Sequence, residues 1–210
     1  MKALKIVIQA VVLLGVLLAV IGWILPSKAI VERAIDINTP TDPIYKMLIT
    51  PSENLNWSPW AKIDPEGTTW TYEGPSAGEG AILKWSSDHK EVGSGQQTWQ
   101  TCIHNKEIIN KIEFEGYAEP SYATFLFDEF DGYTEVTWQF EVNFGANPFA
   151  HYGYLFIEPE LGPIFEKGLR NMKKYLEAQH LGEEELDFEL EGDALVDSLQ
   201  HLQEVQEVVE

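Results

Sequence analysis

The sequence predicts an α+β fold: a curved antiparallel sheet wrapped around one long C-terminal helix, preceded by a single transmembrane helix. Three observations carry that reading. Residues 6–25 form an apolar run without a charge. Residues 69–144 contain successive segments of period-two alternation separated by turn residues. Residues 160–179 carry one apolar stripe at helical spacing.

The first element is IVIQAVVLLGVLLAVIGWIL, in which only Gln9 is strongly polar. At ~1.5 Å rise per residue, a helix of this length spans a bilayer core of ~30 Å. A cleaved signal and a buried core helix are the alternatives. Signal cores usually run ~7–15 residues and end at a small-x-small site. This run is longer and ends in Leu25-Pro26-Ser27-Lys28, a poor site, and Cys102 is the only cysteine, so no lipoprotein-type cysteine follows. An uncleaved anchor is therefore expected. Lys2 and Lys5 flank it on one side, Lys28 and Arg33 on the other, so the positive-inside bias is nearly balanced. The short basic head favours a cytoplasmic N-terminus with the following domain on the exported side.

Val31, Ile35 and Ile37 alternate with Glu32 and Asp36, which predicts a half-buried strand over 29–37. Asn38-Thr39-Pro40 turns the chain into a short helix carrying Ile44, Met47 and Leu48. Pro51 starts a second, which Pro59 ends in Trp57-Ser58-Pro59-Trp60. Strands follow at 69–74, 81–88, 91–103, 107–116, 122–130 and 134–144. Glycines 74, 78 and 80, and Gly93-x-Gly95, read as turn glycines rather than phosphate cradles. His104-Asn105-Lys106 and Asp131-Gly132-Tyr133 read as hairpin turns. An aromatic loop over 147–157 leads to the helix at 160–179, with Leu161, Phe165, Leu169 and Met172 on one face. The loop could be a lid, a patch that dips into the membrane interface, or a connection packed on the core.

The implied organisation is an anchor at 1–28, one domain at 29–180 and an acidic extension at 181–210. The extension supplies −11 of the net charge of −20. Such a field repels phosphate backbones, so nucleic-acid binding is excluded as a function class. It also disfavours broad docking on anionic lipid, so attachment must come from residues 6–25. In the extension, Leu186, Phe188 and Leu190 alternate with acids, and Asp193 could cap a helix bearing Leu195, Leu199 and Leu202. It is either a partner-docking element or a solubilising tail.

Several motifs, taken in order, resemble one family. They are Leu25-Pro26-Ser27 with Val31-Glu32-Arg33, Asn38-Thr39-Pro40, Trp57-Ser58-Pro59-Trp60, Gly74-Pro75 with Gly78-Glu79-Gly80-Ala81, and Leu161-Gly162-Pro163 with Phe165-Glu166-Lys167-Gly168-Leu169. Together, over about residues 1–180, they resemble the SRPBCC, or START-like, superfamily, in its polyketide cyclase/dehydrase-like branch with an N-terminal membrane helix. The resemblance implies a helix-grip fold with a hydrophobic ligand cavity, and relatives that bind or transfer lipids, sterols or polyketides. It implies no universal catalytic motif. The acidic extension departs from the family's usual ending.

Period-two reading of the strands assigns a concave apolar face. Trp85, Trp99, Ile112, Phe125, Phe127, Trp138 and Phe140 are its candidate cavity residues, with Phe165 and Leu169 facing them from the long helix. Gln97, Thr101 and Asn110 are the polar members of the same registers. Neutral amides and hydroxyls can orient a ligand but transfer protons poorly. The same aromatics could equally fill a solid core. The five histidines show no metal-ligand spacing, so no metal or other cofactor is expected and no catalytic residue is assigned. Alternation puts Cys102 on the face away from the cavity, against a reactive pairing with His104. The reading that follows is a membrane-anchored module for a small hydrophobic ligand, lipid or polyketide-like. A cyclase/dehydrase-type enzyme and a scaffold recruiting a partner through the acidic tail are the alternatives.

Overall fold

A computed structural model describes residues 2–179. The extension lies outside the described residues, and so do the strand and helix expected within it. The chain opens with helix α1, Lys2–Ile24, whose segment Ala3–Ile24 is long and apolar enough to cross a membrane. The other elements are β1 (Lys28–Ile37), α2 (Thr41–Leu48), α3 (Asn54–Trp57), β2 (Thr69–Glu73) and β3 (Ile82–Ser86). Then come β4 (Ser94–Ile103), β5 (Glu107–Phe114), β6 (Ser121–Phe130), β7 (Tyr133–Asn143) and a helix α4 over residues 154–179.

The strands form one antiparallel sheet in the order β1-β7-β6-β5-β4-β3-β2. Consecutive strands from β2 to β7 are neighbours, as short hairpin connections dictate. β1 then pairs with β7 at the far edge, from Lys28 opposite Asn143 to Ile37 opposite Thr134. Two tight turns set the register. Phe130 pairs with Tyr133 across Asp131-Gly132, where Gly132 takes φ 85°. Ile103 pairs with Glu107 across a three-residue turn whose Asn105 takes φ 55°, a left-handed conformation that Asn tolerates.

The core lies between the sheet and α4. Val31, Ile37, Ile108, Phe125, Val136 and Trp138 are buried on the concave face, against Phe165, Leu169, Met172 and Leu176 of α4. α2 and α3 close one end with Ile44, Leu48 and Trp57. Ridges of α4 come unusually near the Trp57–Trp60 segment: a Cβ at Gly168 would stand 2.9 Å from the Trp138 ring and 3.2 Å from Pro59. Asn171 adds a hydrogen bond from Nδ2 to the Trp57 carbonyl, 3.1 Å. Arg33 clasps α4 from β1, donating to Glu158 at 2.6 Å and to Glu166 at 3.1 Å.

Two boundaries and the role of one glycine differ from the sequence reading. The strand expected from 91 starts at Ser94, because residues 89–93 form a turn with Gly93 at φ 61°. Gly95 is therefore a strand residue; its missing side chain makes room for Trp85, whose ring a Cβ there would meet at 2.6 Å. The long helix starts at Tyr154 rather than 160, so residues 154–157 of the expected aromatic loop belong to it.

Candidate functional site

The concave face does not pack solid. A cavity of about 320 Å³ remains between the sheet, α3 and the first half of α4. That is about twice an engineered 150 Å³ cavity able to take up benzene, and lies at the small end of the ~300–1,000 Å³ typical of ligand pockets.

Cross-strand pairing explains how the sheet builds the wall. Phe125 stands opposite Trp138, Asn110 opposite Ala123, Ala123 opposite Phe140, and Gln97 opposite Ile112. Trp138 stacks between Phe125, 5.3 Å away, and Phe165 of α4, 4.1 Å away and nearly parallel. Trp57 meets Trp138 edge-on at 5.3 Å, and Trp60 meets Phe165 edge-on at 6.1 Å. These contacts hold one side of the cavity rigid; the other side is formed by Leu83, Trp85 and Phe114.

The polar groups divide into satisfied and unsatisfied. The Trp99 indole donates to the Leu48 carbonyl at 2.8 Å, and the Trp85 indole to the Val92 carbonyl at 3.3 Å. Trp57 Nε1, Trp138 Nε1 and Asn110 Oδ1 are buried on the cavity lining without a hydrogen-bond partner. Each such group costs roughly 1–3 kcal/mol unless something meets it. Two indole donors and one amide oxygen thus lie unpaired within the wall of an otherwise apolar space. Among the described lining residues the carboxylate is Glu91 and the phenol is Tyr117, both exposed at the mouth; no Lys or Arg lines the cavity.

Of the residues assigned from sequence, Trp85, Gln97, Trp99, Asn110, Ile112, Phe125, Trp138, Phe140 and Phe165 line this cavity. Thr101 does not, because a β-bulge inserts Gln100 after Trp99 and reverses the alternation. Thr101 then pairs with Ile109 on the outer face, while Cys102 pairs with the fully buried Ile108 on the concave one. The expected outward placement of Cys102 is corrected by the same bulge. Burial, with Glu79 close by, pushes the Cys102 thiol up to about 11, so it is not a ready nucleophile. His104 instead lies against Asp42 at 3.2 Å and against the Tyr45 ring. Phe127 and Leu169 face inward but sit beyond the cavity, Phe127 packed edge-on against Tyr45.

Sequence reasoning left out Met47, Leu48, Asn54, Trp57 and Trp60, which line the cavity from the helical segments. The aromatic density of Trp57-Ser58-Pro59-Trp60 was the available signal. Phe114 also lines the cavity, from the end of β5.

No family model and no curated protein sequence matches the chain. Solved structures do. The di-domain ARO/CYC StfQ from the steffimycin biosynthetic pathway superposes with a TM-score of 0.56 at 10% identity, over 73% of this chain and 52% of that one. The di-domain ARO/CYC BexL from the BE-7585A biosynthetic pathway gives 0.51 at 15% identity, over 72% and 50%. The chain thus spans about half of each di-domain protein. The Aha1 dimer of Colwellia psychrerythraea covers 71% of this chain and 96% of its own, at 16% identity and a TM-score of 0.49. The sheet order and the long helix define a helix-grip fold, shared with StfQ and BexL.

Proposed function

We propose that the protein is a membrane-anchored binding module for a small, uncharged, hydrophobic ligand held between the sheet and α4. The observation that carries this reading is the apolar cavity of about 320 Å³ between the sheet and α4, lined by aromatic side chains. Burial of the ligand's apolar surface at ~25 cal/mol per Å² would supply the affinity. The absence of a lining cation among the described residues disfavours a buried carboxylate or phosphate head. α1 serves as the anchor, with the domain on the exported side. A cyclase-type reaction is the weaker reading, since acid–base work needs paired titratable groups facing the ligand and Glu91 and Tyr117 lie at the rim.

The lining tryptophans supply the test. Titrating the full chain in lipid nanodiscs with uncharged fluorescent lipids should give saturable uptake with energy transfer from tryptophan. Uptake that is unsaturable, and equal in nanodiscs without protein, would overturn the proposal.

A further inference from the structure

Beside the cavity, the segment joining β7 to α4 is fastened to α1. The Tyr152 hydroxyl donates to the Leu18 carbonyl at 2.9 Å. His151, buried, sets Nδ1 2.8 Å from the Gly22 carbonyl and Nε2 2.9 Å from the Gly145 carbonyl. The Gly22 carbonyl needs such a partner. Its intrahelical donor would be the amide of residue 26, which is Pro26 and has none. Gly22 also lets the chain approach: a Cβ there would collide with the Pro148 carbonyl.

Leu18 lies six residues before the end of α1 at Ile24, which places its carbonyl about 9 Å below that end at the helical rise. The Ala3–Ile24 span measures about 33 Å, close to the ~30 Å of a bilayer core, so there is little length to spare. The fastened segment therefore stands at the depth of the anchor's last turns. Its side chains suit that depth. Phe149, Leu155 and Phe156 are 54%, 51% and 59% exposed, and Tyr154 is exposed beside them. Charge returns only at Glu158, which Arg33 holds.

We infer that residues 149–156 form a second membrane contact, inserted in the lipid interface beside α1, on a bilayer of zwitterionic or uncharged lipid. The inference rests on the reading of α1 as an anchor. Insertion ~5–10 Å deep is what amphipathic interfacial segments achieve, and aromatic residues favour that zone. Ile157 and Leu161, the next inward residues of α4, line the cavity, so the inserted turn separates the cavity from the acyl chains.

The test uses the full chain reconstituted in phosphatidylcholine vesicles, with an environment-sensitive fluorophore on a single cysteine in a Cys102→Ser background. Nitroxide-labelled phosphatidylcholine should quench a fluorophore at Phe156→Cys and at Leu13→Cys, and leave one at Thr71→Cys on the far edge strand unquenched. Quenching at 13 without quenching at 156 overturns this inference alone, whether water, a second copy or another protein covers the patch. No quenching at 13 overturns the anchor reading and this inference with it. The unmodified chain gives a parallel readout with a photoactivatable phosphatidylcholine: cross-links should map to 149–156, and their absence there, with α1 labelled, again overturns it.

Discussion

Ala123→Leu separates a hollow interior from a filled one by the sign of its effect. Ala123 is buried at the middle of the cavity wall, between Asn110 and Phe140. Leucine adds three carbons, worth ~0.8 kcal/mol each when buried, or about 2.4 kcal/mol together. Ordering the longer side chain costs ~0.5–1 kcal/mol, leaving a net gain of about 1.5 kcal/mol. For a chain of this size that raises Tm by roughly 3–6 °C. In a close-packed core the same substitution would overpack and cost ~1–3 kcal/mol. Thermal unfolding of the nanodisc-embedded chain, followed by tryptophan emission, reads the sign directly. The cavity account expects a higher Tm together with weaker ligand uptake, the usual opposition between stability and a functional void. A lower Tm with unchanged uptake would refute the reasoning, because it would mean that the space at Ala123 is neither empty nor used.

Other substitutions probe neighbouring parts of the account. Asn110→Leu removes a buried amide that has no protein partner at Oδ1; urea titration of the empty protein should show stability unchanged or raised by about 1 kcal/mol, while ligand affinity falls. Gly95→Val drives side-chain atoms into the Trp85 ring and the Glu113 carbonyl, and should lower stability by ~1–3 kcal/mol in the same assay. Glu113 is held below its ordinary value of 4.5 by hydrogen bonds from Lys111 and Gln96. A depressed carboxylate contributes stability that is present above the unfolded value and is lost as pH falls through the folded one. Glu113→Gln should therefore unfold at a lower urea midpoint than wild type at pH 7, and the gap should close as pH falls below about 4.5.

Much of the wall was legible because a strand has a strict period. Phe125, Trp138 and Phe140 follow from alternation alone, and pairing then brings them together. Thr101 was misplaced because a bulge adds one residue without any mark in the hydrophobic pattern, and one residue reverses every side chain beyond it. Phe127 and Leu169 were misjudged for a different reason. Periodicity tells which face a residue takes, and says nothing of how far along that face a void extends. Trp57, Trp60 and Met47 needed tertiary information, since short helices have no register that ties them to a sheet. The helix expected from 160 starts instead at Tyr154 and runs through Pro159. The clasp of His151 on Gly22 was likewise hidden in sequence, although Pro26 already left that carbonyl without its intrahelical donor.

The central claim is that the interior holds an uncharged hydrophobic molecule. Native mass spectrometry of the full chain, released from mild detergent without prior lipid removal, tests it most directly. The account predicts a dominant species heavier than the bare chain by one small neutral molecule, diminished in Ala123→Leu. A bare chain in every preparation, with no uptake of any uncharged fluorescent lipid offered afterwards, would contradict it.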